Sequence, residues 1–425
     1  MKRLQRVLLN GPFHYGWVIV ANGFFLEMIV MGAALYAFSV FVLPLSRAFE
    51  TGTFEVMLGL TSLNIAIAVL SPLAGHLIAN GSPRRYMVVG LISLAIGFML
   101  ASLSASIWLI WFSYATFIGA GYALVAPIAA SALITNWFDN LRGRALSIAA
   151  MGTSFGGLAI PPVVAMIVDV YGWRPAFQML SGLFLVVSVP LVYVFVIDRP
   201  VDRGLEPYGK QISPKTEQLI DEKHDIVPTI AHILRQPVFW RLGFALGIGF
   251  AVFMAVTANI VPYSTTLGFS ERQGALFLAG ITACALVGKI LFAVITDRLG
   301  VKRTFIVALL LNILAMVMLL WLPYFYTLFF AVICVGLSSG GLLVSWPGYI
   351  AVYFGKESLA KVMGTSAPII NGCMIFFPPF ASKIYDITGK YNIAFLVFLF
   401  TLLLALFLAS GLREHRIALS FNRHS

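Results

Sequence analysis

Long apolar runs alternate with short polar breaks along almost the whole of this chain. Twelve runs reach the roughly 20 residues that a membrane-spanning helix needs. They lie at 16–46, 53–79, 86–105, 107–135, 146–168 and 176–197, then at 236–266, 273–296, 304–322, 325–353, 362–385 and 391–411. The longest are expected to tilt or to extend past the bilayer. Helical periodicity is no guide here, because lipid-facing and core-facing sides are both apolar. The one extended polar stretch, 198–235, carries Pro200, Pro207, Pro214, Pro228 and the charged run Asp221-Glu222-Lys223-His224-Asp225. It reads as a cytoplasmic linker with room for a short surface helix, and its charges as a solvated face. The expected fold class is all-α: a polytopic membrane protein of twelve transmembrane helices in two six-helix halves, 1–197 and 236–425.

An internal repeat supports the two halves. Pro161-Pro162, Ile167, Asp169 and Gly172 recur 217 residues later as Pro378-Pro379, Ile384, Asp386 and Gly389, and Phe177 and Phe395 follow after a one-residue insertion. The loop ending Ser82-Pro83-Arg84-Arg85 is echoed 218 residues on by Gly300-Val301-Lys302-Arg303. Parallel repeats of six helices are a transporter architecture.

Composition agrees. The 425 residues are 60% hydrophobic and 11% charged, against about 25% charged in soluble domains. The net charge of +11 invites a nucleic-acid reading, but the placement of the charge argues against it. The N-terminus and alternate loops hold 22 of the 28 Lys and Arg; the opposite loops hold Arg47, Arg174, Arg272, Lys383 and Lys390, and Lys289 lies inside a helix. This is the positive-inside asymmetry. It predicts an inner-membrane protein with both termini cytoplasmic. The basic stretch Met1–Arg6 precedes an apolar run too long for a signal h-region, so the first run is expected to span rather than be cleaved.

Several motifs carry a resemblance. After the eighth run stands Asp297-Arg298-Leu299-Gly300-Val301-Lys302-Arg303. It resembles the Asp-Arg-x-Gly-x-Arg/Lys-Arg/Lys loop of the major facilitator superfamily. There the Asp can accept hydrogen bonds at a neighbouring helix N-terminus, and the Gly permits a tight turn. The first-half copy keeps Gly75, Arg84 and Arg85 but has Ala79, Asn80 and Ser82 in place of Asp, Arg and Gly. Arg84 and Arg85 therefore read either as part of a cytoplasmic gate or as plain anchors. Four more stretches narrow the likeness: Tyr15-Gly16-Trp17; Asn136-Trp137-Phe138 leading to Arg142-Gly143-Arg144; an external loop Gly172-Trp173-Arg174-Pro175-Ala176-Phe177; and Arg199-Pro200 to Gly204-Leu205. Together they resemble the bacterial relatives of the monocarboxylate porters and oxalate–formate exchangers. That resemblance implies the major facilitator fold, symport or exchange of a small organic anion, and a cytoplasmic gate using Asp297, Arg298, Gly300, Arg84, Arg85, Arg142 and Arg144. The Gly-Pro-x-x-Gly-Gly pattern of drug exporters is absent from the fifth run, which disfavours multidrug efflux.

Two ionisable residues sit deep in apolar runs. Lys289 precedes Asp297 by eight residues, about 12 Å along a helix, so it falls near the midplane. A central Lys costs about 2.5–3.5 kcal/mol even on the lenient insertion scale. It is expected to bind a substrate anion, with a structural ion pair or snorkelling as the alternatives. The resembled porters carry an Arg at this spacing; Lys is a point charge without the bidentate fork. Glu27 lies ten residues after Trp17. Burial disfavours a charged carboxylate, so Glu27 reads as a proton-coupling site, as a neutral structural Glu, or as a partner of Lys289. The further candidates for substrate binding are Tyr36, Tyr122, Asn259, Tyr263, Ser345, Tyr349 and Asn371. Each is weighed against interhelical hydrogen bonding, and Gly119/Gly121, Gly152/Gly156, Gly243/Gly247 and Gly336/Gly340 against close helix packing. His76 reads as an interface residue.

No catalytic set stands out. Cys284, Cys334 and Cys373 form no disulfide framework, the six His show no metal spacing, and there is no nucleotide-binding loop. A non-enzymatic secondary carrier without cofactor or metal is expected, acting as a monomer on a small solute in the bilayer, with protons as the candidate coupling ion. A carrier for a neutral or zwitterionic solute such as a vitamin is the alternative, and a non-transporting sensor the more distant one.

Overall fold

A computed structural model describes residues 14–126, 128–138, 141–208, 230–321, 325–354 and 359–412. Twelve long helical stretches run through these residues. They are α1 Gly16–Phe49, α2 Thr53–Asn80, α3 Pro83–Ser102, α4 Ile107–Trp137, α5 Arg142–Tyr171 and α6 Trp173–Phe195, then α7 Pro237–Thr266, α8 Glu271–Leu299, α9 Val301–Trp321, α10 Phe325–Phe354, α11 Leu359–Thr388 and α12 Asn392–Ser410. Eleven are long and apolar enough to cross a membrane among the described residues; the other, α11, is 30 residues long and covers the expected run 362–385.

The boundaries depart from expectation where proline and glycine intervene. The stretch from Trp173 to Phe177 is not a loop. Gly172 has φ +85°, a turn that glycine makes without strain, and α6 begins at once at Trp173. Pro175 is tolerated there because the first turn has no intrahelical partner for its missing N–H. Arg174 donates to the Ser104 carbonyl at 3.2 Å and lies 4.2 Å from the Trp173 ring. Likewise α3 starts at Pro83, three residues before the expected edge, with Ser82 as its N-cap accepting from Arg85 N–H. Inside α4, Ala126 adopts an extended backbone (φ −132°, ψ 141°), the conformation that a following proline imposes on its predecessor. Three π-helical turns interrupt α1, α4 and α6, at Gly32–Tyr36, Tyr114–Ile118 and Leu183–Ser188.

Contacts divide the chain into two compact units. One comprises Met1–Ile212, Ala255–Ala283 and Pro378–Tyr391; the other comprises Ser213–Met254, Cys284–Phe377 and Asn392–Ser425. Within the first, small residues set the helix crossings. A Cβ on Gly152 would overlap the Phe24 carbonyl, one on Gly156 the Met28 carbonyl, and one on Gly32 would come 2.5 Å from Ile160. Larger residues would force α1 and α5 apart. Gly119 and Gly121 do the same for α4 against Ala66 of α2 and Gly90 of α3. In lipid there is no hydrophobic drive between helices, so such close backbone packing is what holds them together. Within the second unit, Gly288 of α8 and Gly340 of α10 meet backbone to backbone. There, too, Asn312 of α9 donates to the Gly249 carbonyl of α7 at 3.4 Å.

The start of the linker is folded back. Pro200–Arg203 form a 3-10 turn, and Tyr208 N–H donates to the Trp137 carbonyl at 2.8 Å. A short helix, Ile230–Arg235, precedes α7. The charged run 221–225 lies outside the described residues.

Candidate functional site

In the first unit a polar cluster forms where α1 crosses α5. Glu27 is buried, with 4% of its surface exposed. Its side chain lies against Gly152: a Cβ placed there would sit 3.0 Å from the Glu27 Cβ. Tyr122 of α4 donates its hydroxyl to Met31 Sδ at 2.7 Å, and both Glu27 and Tyr36 are close enough to act on it electrostatically. Tyr36 closes the π-helical turn of α1, where Ala37 N–H reaches back to the Gly32 carbonyl at 2.8 Å. Such turns re-aim one side chain and recur at functional sites. The Tyr36 ring faces Gly157, with Thr282 of α8 on the same glycine. Three sequence candidates, Glu27, Tyr36 and Tyr122, are thus brought together.

Lys289 belongs to the second unit. It is half-buried, in the middle of α8, and its backbone N abuts Gly340 at the α8/α10 crossing. The close approach fixes the helical position from which the ammonium projects. Ser345 of α10 is buried but donates to the Gly341 carbonyl of its own helix at 2.7 Å. Tyr349, also buried, stacks on Tyr353 and sets its ring edge-on to Phe305 of α9, with centroids 6.0 and 5.8 Å away. Asn371 is half-buried.

Asn259 and Tyr263 share a face of α7, but their surroundings differ. The Asn259 amide donates to the Ala255 carbonyl at 3.0 Å and the Pro378 carbonyl at 3.2 Å, and accepts from the Ser382 hydroxyl at 2.7 Å. It is a strut between α7 and α11. Tyr263 packs edge-on against Tyr391, which in turn stacks on Tyr385.

Among the gate candidates, Gly300 has φ +80° and its N–H closes α8 onto the Thr296 carbonyl at 3.0 Å, the left-handed helix end that glycine favours. Arg298, Arg85 and Arg144 are exposed. The side chains of Asp297 and Arg142 lie outside the described residues. Arg84 N–H donates to Asp198 Oδ1 at 2.8 Å, while its guanidinium donates to the Tyr193 carbonyl and lies 4.8 Å from that ring. The Ser82 hydroxyl also donates to Asp198. Asp198 therefore supplies the negative charge that an α3 N-terminus favours. His76 is exposed and bonded to Asn80.

The motif residues nearby serve the same docking. Trp137 Nε1 donates to the Ile197 carbonyl at 2.9 Å and Asn136 to the Asp198 carbonyl at 3.2 Å. The Tyr15 hydroxyl donates to the Phe195 carbonyl at 2.9 Å; burial pushes its phenol above the usual value, against the pull of Arg203 and Arg84. These bonds fasten the end of α6 across α1 and α4. The role of Asp198 is not legible in the sequence, where its only signal is its place just after the sixth apolar run. The same holds for Arg47, Glu271 and Asp386, although Asp386 stands in the internal repeat. Among the described residues no His, Cys, Asp and Glu gather as a metal site.

Comparison with known proteins adds three findings. The family model described as Major Facilitator Superfamily matches residues 23–325 and 282–420. Monocarboxylate transporter 12 of Mus musculus is 26% identical, over 93% of this chain and 85% of that protein, and the uncharacterized MFS-type transporter YhjX of Escherichia coli K12 is 23% identical, over 78% and 79%. The crystal structure of a bacterial homolog of the human lysosomal transporter Spinster superposes with a TM-score of 0.71 at 15% identity, covering 94% of this chain and 97% of that one.

Proposed function

From the premise that this chain belongs to the Major Facilitator Superfamily, as a multi-pass membrane transporter and not an enzyme, we propose that it carries a small monocarboxylate-type organic anion by alternating access. The observation that carries the reading is Lys289, a half-buried cation midway along an apolar helix. A negative solute offsets the desolvation that an ammonium suffers at that depth. The names of several relatives, monocarboxylate transporters 12 and 13, support the same solute class.

In this mechanism the solute carboxylate pairs with Lys289, and the six-helix halves 1–197 and 236–425 then rock to exchange access. Glu27, held beside Tyr122 and Tyr36, takes up and releases the coupled proton. Arg298, Gly300, Arg144 and the Asp297 and Arg142 positions form the cytoplasmic gate, with Arg84 and Arg85 at the start of α3. The protein works as a monomer in the inner membrane with both termini cytoplasmic. Asn259, fully engaged between α7 and α11, shapes the helices instead of touching solute.

The test is uptake of lactate- and oxalate-type acids into proteoliposomes. We expect Lys289→Ala to lower uptake about tenfold or more, the loss of one charge-assisted contact, and Lys289→Arg to keep most of it. Undiminished uptake by Lys289→Ala overturns the assignment.

A further inference from the structure

Helix α2 begins at Thr53 without a cap of its own, since its N-cap residue is Gly52. The cap comes from α11, 333 residues away in sequence. Thr53 N–H donates to Asp386 Oδ1 at 3.0 Å and Phe54 N–H to Oδ2 at 2.7 Å. The Thr53 hydroxyl donates to Oδ1 at 2.8 Å, and Lys383 Nζ lies 4.9 Å from the Phe54 ring. One carboxylate thus satisfies two of the free N–H groups at a positive helix end. Gly52 leaves room for it: a Cβ there would come 2.5 Å from Asp386 Oδ2. Two more ties join the same parts of the chain: Arg47 of α1 pairs with Glu271 of α8 at 2.8 Å, and Val261 N–H of α7 donates to Ser39 of α1 at 3.5 Å.

The internal repeat makes this asymmetric. Asp169 is the counterpart of Asp386, and Glu271, which opens α8, is the counterpart of Thr53. Asp169 and Glu271 line one open cleft of about 610 Å³ with Arg47 and Arg272. Yet α8 caps itself: Gln273 N–H donates to Ser270 Oγ at 3.2 Å, and Ser270 N–H donates to Gln273 Oε1 at 2.9 Å. This is a reciprocal capping box. The α8 terminus has no need of Asp169, whereas the α2 terminus depends on a carboxylate from the other half of the sequence.

We propose that Asp386 is a detachable cap on α2, a latch that holds this end of the molecule shut and must let go each time it opens. The inference rests on alternating access, since α2 and α11 belong to sequence halves that part at one end during such a cycle. The charge asymmetry of the loops puts this end on the outside. Breaking the latch biases the protein toward the state open at Thr53 and Asp386.

Ser39→Cys is the reporter. Ser39 is buried, 1% exposed, against Val261, and becomes reachable when this end opens. Cys284, Cys334 and Cys373 are replaced by Ser in the background, and the rate of labelling by a membrane-impermeant maleimide is measured in right-side-out vesicles. Asp386→Ala is expected to speed labelling about fivefold or more, the scale of a lost helix-end charge contact, with Asp386→Asn intermediate. Adding Gly52→Ser to Asp386→Ala gives α2 a cap from its own chain. It should recover thermal stability while labelling stays fast. Labelling at the parental rate in Asp386→Ala and Asp386→Asn, or a return to that rate when Gly52→Ser is added, overturns the latch. No solute is needed, so a wrong anion assignment leaves the result unaffected; a parent that also stays unlabelled in the presence of every transported solute would instead count against alternating access at this end.

Discussion

Glu27 and Lys289 are both ionisable residues inside apolar helices, and both stand at a glycine crossing. Glu27 lies beside Gly152 where α1 meets α5; Lys289 lies beside Gly340 where α8 meets α10. Their surroundings part company from there. Glu27 is almost wholly enclosed, with Tyr122 close enough to feel its charge. Lys289 is only partly enclosed, among helical neighbours Val287, Ile290 and Leu291 that are exposed and apolar. An enclosed carboxylate with hydroxyl neighbours suits a proton, which needs no space. A partly enclosed ammonium suits a solute, which does.

The crossings are where substitution should do most damage. Gly340→Leu would drive a side chain into the backbone of Gly288 and Lys289, and no flexible neighbour can move aside. It is expected to abolish monodisperse folded protein in size-exclusion chromatography, since overpacking costs about 1–3 kcal/mol even where side chains can yield. Gly372→Ala, with nothing within 4 Å of the added carbon, should leave the melting temperature unchanged. If both variants fold equally well, the crossings do not position these charges.

Glu27→Gln sharpens the contrast functionally. It should preserve solute binding and counterflow while removing the acceleration of uptake by an inward proton gradient. Uptake that still follows the gradient would remove Glu27 from proton coupling. A smaller effect is expected at the α7–α11 strut. Asn259→Leu strands the Ser382 hydroxyl, takes the second donor from the Pro378 carbonyl, and should cost about 1–3 kcal/mol, the range for buried groups losing a partner. Thermal unfolding reads this loss, and solute affinity should stay within about twofold if the residue is only a strut. Smallest of all, Ser345→Ala removes a bond that closes within α10; stability and transport should shift by no more than about 0.5 kcal/mol.

The helix count and the polar linker were legible because bilayer thickness imposes a minimum apolar length, which composition alone reveals. Charge asymmetry gave a sidedness to test, and glycine spacing pointed to close crossings that the structure shows at Gly152, Gly156, Gly121 and Gly340. Edges were less legible. The Gly172–Phe177 stretch read as a loop because it holds Arg and Pro, yet a helix first turn tolerates both. Pairing was not legible at all. Asp198 and Asp386 act at helix ends far away in sequence, and one carboxylate near a run boundary looks like any other until its partner N–H groups are placed. For the same reason the polar candidates separated only in three dimensions. Asn259 bonds α7 to α11 and Ser345 bonds back to its own helix, while Glu27 and Tyr36 both lie close enough to Tyr122 to act on it.

The most direct test of the anion site is a thermal-shift comparison with a panel of small monocarboxylates and their uncharged amides. Wild-type protein should be stabilised by at least one acid and by none of the amides, and Lys289→Ala should lose that stabilisation while Glu27→Gln keeps it. Equal stabilisation of wild type and Lys289→Ala by the same acid would contradict a solute held by the Lys289 charge.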